Sequence, residues 1–113
     1  MTTQYARGAA FERRVMVDLE ELGYYVVRSA GSHSVIDVVA LAYQVTLGVQ
    51  VKLDGRCDPD EWNDLWALAS TDKVDHALIA STGPKRGQIV YRRLTGPKSG
   101  TRGERAPSEV WEP

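Results

Sequence analysis

The sequence is short of cysteine, of long apolar runs and of net charge, and each shortage excludes something. One cysteine, Cys57, among 113 residues excludes an internal disulfide framework and any multi-cysteine zinc or iron–sulfur site, and it fits a reducing compartment. No apolar run approaches the roughly 18 residues of a membrane span; the best, Val35 to Tyr43, is interrupted by Asp37. The opening MTTQYARGAAFERR lacks the apolar core of a secretory signal, so a cytoplasmic, intracellular protein with no membrane partner is expected. A formal net charge of −1 also lacks the basic excess common among nucleic-acid binders.

That near-neutrality is a cancellation between blocks. Residues 53–76 carry Asp54, Asp58, Asp60, Glu61, Asp64, Asp72 and Asp75 against Arg56 and Lys73, a net of −5. Residues 77–105 carry Lys85, Arg86, Arg92, Arg93, Lys98, Arg102 and Arg105 against Glu104, a net of +6. An average over such blocks says little about local potential. A polarised molecule is expected, with a basic face around Asp37 and an acidic helix turned away from it. An apolar fraction of 42% with 26% charged residues is the composition of a single globular domain.

The spacing predicts a helix over Gln4–Leu22, where Phe11, Val15, Leu19 and Leu22 form an apolar stripe and Gly23 a stop. Tyr24–Ser29 is β-branched and aromatic, hence a strand; Val35–Leu41 reads as a second strand buried on both faces, and the alternating Val45–Leu53 as a third. Asp58-Pro59-Asp60-Glu61 is a helix start with the acid as cap and Glu61 at the capping-box position. Trp62, Leu65, Trp66 and Ala69 follow on one face, with the tryptophans expected in the core or in a dimer interface. His76–Ser81 and Gln88–Leu94 read as strands around a turn rich in Gly, Pro, Lys and Arg. The order predicts an α/β protein: a central mixed sheet flanked by helices. Residues 95–113, poor in apolar side chains until Val110-Trp111, read as a flexible tail whose last apolar pair docks on this chain or on a partner.

Three features do not fit plain packing. Asp37 interrupts an apolar strand, Gln50 and Lys52 stand two apart on one face of the next, and Glu12 lies on the first helix beside its apolar stripe. If the strands pair and the helix packs on them, carboxylates, an amide oxygen and a lysine converge. That set suits a hard divalent cation such as Mg²⁺, with Mn²⁺ as substitute, and a lysine that activates water or offsets phosphate charge. The bland reading is an Asp37–Lys52 ion pair with a solvated Glu12. His33, after Gly31-Ser32, is a candidate phosphate contact; Lys85 and Arg86 are either a DNA grip or a solvated hairpin tip. Cys57 has no nearby histidine and is not expected to be a nucleophile.

The run G-x-x-F-E-R-x-V-x-x-x-L-E-x-x-G-Y-x-V-V-R-S-A-G-S (Gly8–Ser32), with I-D-V-V-A-L (Ile36–Leu41) and V-Q-V-K (Val49–Lys52), resembles the archaeal-type Holliday junction resolvases of the PD-(D/E)xK nuclease superfamily. The resemblance spans roughly residues 7–94 and implies a restriction-endonuclease-like α-β-β-β-α-β core, with a nuclease domain over residues 1–94 and the tail over 95–113. It implies a Mg²⁺-dependent endodeoxyribonuclease that resolves four-way DNA junctions as a homodimer. The metal would be held by Glu12, Asp37, Gln50 and the Val51 carbonyl, with Lys52 catalytic, Ser32 in the active-site loop, and Arg7 and Arg28 on phosphates. Gln50 departs from the family, where this slot carries Glu, and the ligand set loses one negative charge. Nicking of other branched or foreign DNA, and a catalytically silent DNA-binding module, are the competing expectations.

Overall fold

Helix α1 (Gln4–Glu21) forms where Phe11, Val15 and Leu19 recur on one face. In this computed structural model, which describes residues 3–29, 34–101, 103 and 105–112, Thr3 caps α1 by accepting the Ala6 N–H at 3.1 Å. Gly23, at φ 99°, ends it: its N–H donates to the Glu20 carbonyl and the Tyr24 N–H to the Leu19 carbonyl, both at 3.0 Å. Those are the two bonds of a Schellman stop, and the left-handed φ explains the glycine.

Strands β1 (Tyr25–Arg28), β2 (Val38–Ala42) and β3 (Val45–Val51) follow, paired antiparallel in sequence. Asp58 caps α2 (Pro59–Ser70) by accepting the Glu61 N–H at 2.9 Å. The helix crosses to β4 (His76–Thr82), parallel to β3, and β5 (Ile89–Leu94) and β6 (Ser108–Trp111) add antiparallel. The sheet order is β1-β2-β3-β4-β5-β6. This is the expected α/β architecture: a mixed sheet, one parallel pair joined through a helix, and a helix on each face. Among the described residues no helix is long and apolar enough to cross a membrane.

Two apolar clusters divide the core. Phe11, Val15 and Leu19 of α1 pack on Val38, Ala40, Leu47, Val49, Leu78, Ala80 and Tyr91. Trp62 and Leu65 of α2 pack on Ala77, Ile79 and Leu94, with Ile36 and Trp66 at the margin. Trp62 is therefore a core residue of this chain, with Trp66 packed against the same cluster. Gly48, on the α2 side of β3, leaves room for Ile36: a Cβ there would stand 2.9 Å from Ile36 Cδ1. The glycine lets the segment before β2 lie flat on β3, and Asp37 is the next residue.

The structure corrects three expectations. β2 begins at Val38, not Val35, and it is buried on one face only; Leu41 is exposed, because α2 packs on β3 and β4 and leaves the β1–β2 end of that face uncovered. The acidic helix α2 is not turned away from Asp37, because its Glu61 and Asp64 line a cleft together with that residue. Residues 95–113 are not a free tail where they are described. Trp62 Nε1 donates to the Gly96 carbonyl at 2.8 Å, Asn63 exchanges hydrogen bonds with the Lys98 backbone at 2.8 and 3.0 Å, and Lys98 Nζ donates to the Cys57 carbonyl at 2.7 Å. β6 then pairs with β5, and Trp111 meets Tyr91 edge-on at 6.1 Å between ring centroids. Apolar content was a poor guide because this segment is held mainly by backbone and polar bonds.

Deleting residues 95–113 is therefore expected to destabilise the domain by about 2–4 kcal/mol, through the exposed Tyr91 and the unpaired indole N–H of Trp62. A urea titration followed by circular dichroism checks this; an unchanged midpoint would show that the segment contributes nothing.

Candidate active site

Asp37 sits where β1, β2 and β3 meet. Its N–H donates to the Val49 carbonyl at 2.9 Å and its carbonyl accepts the Ser29 N–H at 2.9 Å. Its carboxylate Oδ2 accepts the Val51 N–H at 2.8 Å. β3 runs past the start of β2 here, so the carboxylate takes the place of the missing ladder partner. Burial pushes the Asp37 carboxyl up from its ordinary value, against the Val51 hydrogen bond; the nearby Glu12 and Glu61 push the same way, and Lys52 opposes them.

Gln50 is 8% exposed, and its buried Oε1 has no hydrogen-bond partner among the described residues. Asp37 and Gln50 together form the wall common to two adjoining clefts. One, of about 320 Å³, opens toward α1 and is lined also by Gly8, Glu12, Arg28 and Val51. The other, of about 370 Å³, opens toward α2 and is lined also by Ser34, Lys52, Glu61 and Asp64. Asp37 and Gln50 are thus brought together, with Glu12 beside them on the α1 side and Lys52 on the α2 side.

The bland Asp37–Lys52 pair is not what forms. Lys52 Nζ lies 2.6 Å from Glu61 Oε2, and Arg28 Nε lies 2.6 Å from Glu12 Oε1. Burial would lower the Lys52 ammonium, but the hydrogen bond and charge of Glu61 outweigh it and the net shift is upward. Lys52 is therefore an ammonium at neutral pH, suited to offsetting charge on a phosphate rather than to taking a proton. Each cation of the site is held by an acid from a helix, Glu12 from α1 and Glu61 from α2. Among the described residues no three His, Cys, Asp or Glu side chains form a ready-made metal cluster. The donors at hand are hard oxygens all the same: the Asp37 carboxylate and the orphaned Gln50 Oε1 fit Mg²⁺ or Mn²⁺ chemically.

Of the other expected residues, Arg7 is exposed on the first turns of α1, and Lys85 and Arg86 are exposed in the β4–β5 turn. That turn leaves the sheet at the Lys52 end, since the Thr82 N–H donates to the Leu53 carbonyl at 3.2 Å. Arg14 Nη2 ties it to α1 through the Gly87 carbonyl at 2.8 Å. Ser32 and His33 lie outside the described residues. Arg92 and Arg93 are taken up by β6, through Ser108 and Glu109. Cys57 is buried and its thiol is pushed to about 11, chiefly by burial, which makes it inert. Glu61 is the residue that sequence reasoning missed; it reads as a helix-start acid, and no spacing links it to Asp37.

A carboxyl whose pKa is raised by folding favours the fold below its unfolded value and loses that contribution as pH rises through the folded value. Asp37 thus carries its charge, above its folded value, at a cost in stability. In EDTA at pH 7, Asp37→Asn should melt a few degrees higher than the parent, with the gain shrinking toward the unfolded carboxylate range; a lower melting point at pH 7 would contradict this.

The model of the archaeal Holliday junction resolvase family, Hjc, matches residues 3–57, which include Glu12, Arg28, Asp37, Gln50 and Lys52. No curated protein matches the chain. Among solved structures, the chain resembles Hjc of Archaeoglobus fulgidus, described as a Holliday junction resolvase from an archaeal hyperthermophile, with a TM-score of 0.63 and 25% identity over 80% of each chain. The family's segment carries the site and the restriction-endonuclease-like core extends beyond it, so the chain is similar to the archaeal Holliday junction resolvase family.

Proposed function

We propose that the protein is a metal-dependent, structure-selective endodeoxyribonuclease that resolves four-way DNA junctions by paired phosphodiester hydrolysis. The observation that carries the reading is the placing of Asp37, the orphaned Gln50 Oε1 and an ammonium at Lys52 on one sheet end, in a chain similar to this family.

In this reading Asp37, Gln50, Glu12 and the Val51 carbonyl hold Mg²⁺, or Mn²⁺ in its place. When bound, the cation would polarise the scissile phosphate and lower the pKa of a water. Asp37 is pre-oriented by the Val51 N–H and needs no reorganisation on binding. Lys52 offsets charge developing on the phosphate, and it must exchange Glu61 for DNA to do so. Arg28 makes the same exchange from Glu12. Both pairs are partly solvent-exposed, so their loss costs little. Arg7, Lys85, Arg86 and, in the active-site loop, Ser32 and His33 would position phosphates, reading shape rather than base sequence.

Paired cuts need two sites at a fixed separation, which a two-fold homodimer supplies. The uncovered face of β1 and β2 suits a second copy: Tyr25, Val27, Leu41 and Tyr43 are exposed beside the edge strand β1. Gln50 supports a second reading, a silent DNA-binding module, because the ligand set lacks one carboxylate. Action on other branched or foreign DNA would keep the chemistry and change the substrate.

A labelled four-way junction, a flap and a linear duplex, each with and without Mg²⁺, decide among these. Symmetric paired cuts are expected on the junction, reduced at least about 100-fold by Asp37→Ala or Lys52→Ala. Equal cutting of linear duplex would contradict junction selectivity, and binding without cutting in Mg²⁺ or Mn²⁺ would favour the silent module. Replacing Lys85 and Arg86 by alanine should weaken junction binding and reduce its log–log salt slope by about 1 for each phosphate no longer neutralised; an unchanged slope would make the turn a solvated tip.

A further inference from the structure

Resting on the reading of the Asp37 cleft as a cation site, we propose that Glu61 of α2 supplies the carboxylate that β3 lacks at Gln50. The cation would lie between helix and sheet, with Asp37, Gln50 Oε1 and Glu61 as its protein donors on that side. The Glu61–Lys52 pair is then the metal-free state of the site.

Glu61 lines the cleft while keeping part of its side chain in solvent. Its Oε2 is 2.6 Å from Lys52 Nζ, and it lines the same cleft as Asp37 and Gln50. The independent sign of a ligand is Gln50 itself, more than nine-tenths buried, lining that cleft, with an oxygen that no donor among the described residues satisfies. A buried amide oxygen left unpaired is costly unless something else meets it, and a hard cation does.

Charge count points the same way. Asp37 with a neutral amide offers one negative charge, and Glu12 is engaged by Arg28 on the α1 side. Affinity for a hard dication rises with the number of carboxylates. Glu61 restores the second one, from a residue that lies outside the segment matched by the family model.

The helix is also fixed well enough to serve. Asp58 caps its first turn at the Glu61 N–H, and Trp62 and Asn63, the next two residues, are bonded to Gly96 and Lys98. The Glu61 side chain remains 40% exposed and is free to turn from the ammonium toward a cation. Lys52 is then released toward a phosphate, so cation binding and charge presentation are coupled.

The test is Mn²⁺ binding to the DNA-free protein, read by electron paramagnetic resonance of the free ion, with circular dichroism confirming the fold of each variant. Glu61→Gln should weaken binding by about tenfold to hundredfold, and Gln50→Glu in the same chain should restore most of it by returning the carboxylate to β3. Unchanged binding in Glu61→Gln, with binding lost in Asp37→Asn, would overturn the proposal and leave Glu61 a partner of Lys52 alone. A loss that Gln50→Glu does not recover would overturn it too, because Glu61 would then act by positioning Lys52. Failure of the parent to bind Mn²⁺, or full binding in Asp37→Asn, would instead overturn the cation-site reading beneath it.

Discussion

The hydrogen bond from the Val51 N–H to the Asp37 carboxylate, 2.8 Å long, holds this end of the sheet together. β3 outruns β2 by Gln50 and Val51, and a strand that outruns its neighbour leaves backbone donors unpaired. Asp37 satisfies one with its side chain while its own backbone ties β1 to β3. The same bond aims the carboxylate and fixes the start of the Gln50–Lys52 stretch. Gly48 makes it sterically feasible by letting Ile36 lie against β3. A change of shape at Gly48 or of charge at Asp37 would therefore be felt at every other residue of the site.

Around that anchor the molecule keeps its cations in reserve. Arg28 and Lys52 each pair with a helix-borne acid, one from α1 and one from α2, on opposite faces of the sheet. Pairs of this exposure are weak in water, and a polyanion can displace the acids at small cost. Burial has the opposite effect on Asp37 and Gln50, which have no equivalent exchange open to them. The result is a partly buried acid beside a buried amide, with exchangeable ion pairs on either side, an arrangement that stability alone would not favour.

The C-terminal segment has a structural part in this. Its strap along α2 and its strand beside β5 use polar bonds to Trp62, Asn63, Arg92 and Arg93. Those bonds consume two arginines that a charge count would assign to DNA. They also hold the helix that carries Glu61. Part of the basic block of residues 77–105 is thus structural, while Arg7, Arg28, Arg56 and the Lys85-Arg86 turn remain exposed.

How much was legible in the sequence follows from the range of each interaction. The ends of α1 and α2 were readable because caps and stops are local: Gly23 needs only its own φ, and Asp58 only the N–H three residues on. The order of the strands and the pairing of Asp37 with the Gln50–Lys52 stretch were readable because alternation places side chains and neighbouring strands pair. By itself, then, the sequence determined the α/β architecture, the resemblance to the family and the placing of Asp37 beside the Gln50–Lys52 stretch. Only the tertiary structure decided that Lys52 pairs with Glu61, that the acidic helix faces the cleft, and that residues 95–98 and 105–112 belong to the domain. Those depend on which face of the sheet a helix covers and on polar bonds between residues up to 41 positions apart, as between Lys98 and Cys57. Neither leaves a period or a composition along the chain, because both are set by packing across the sheet.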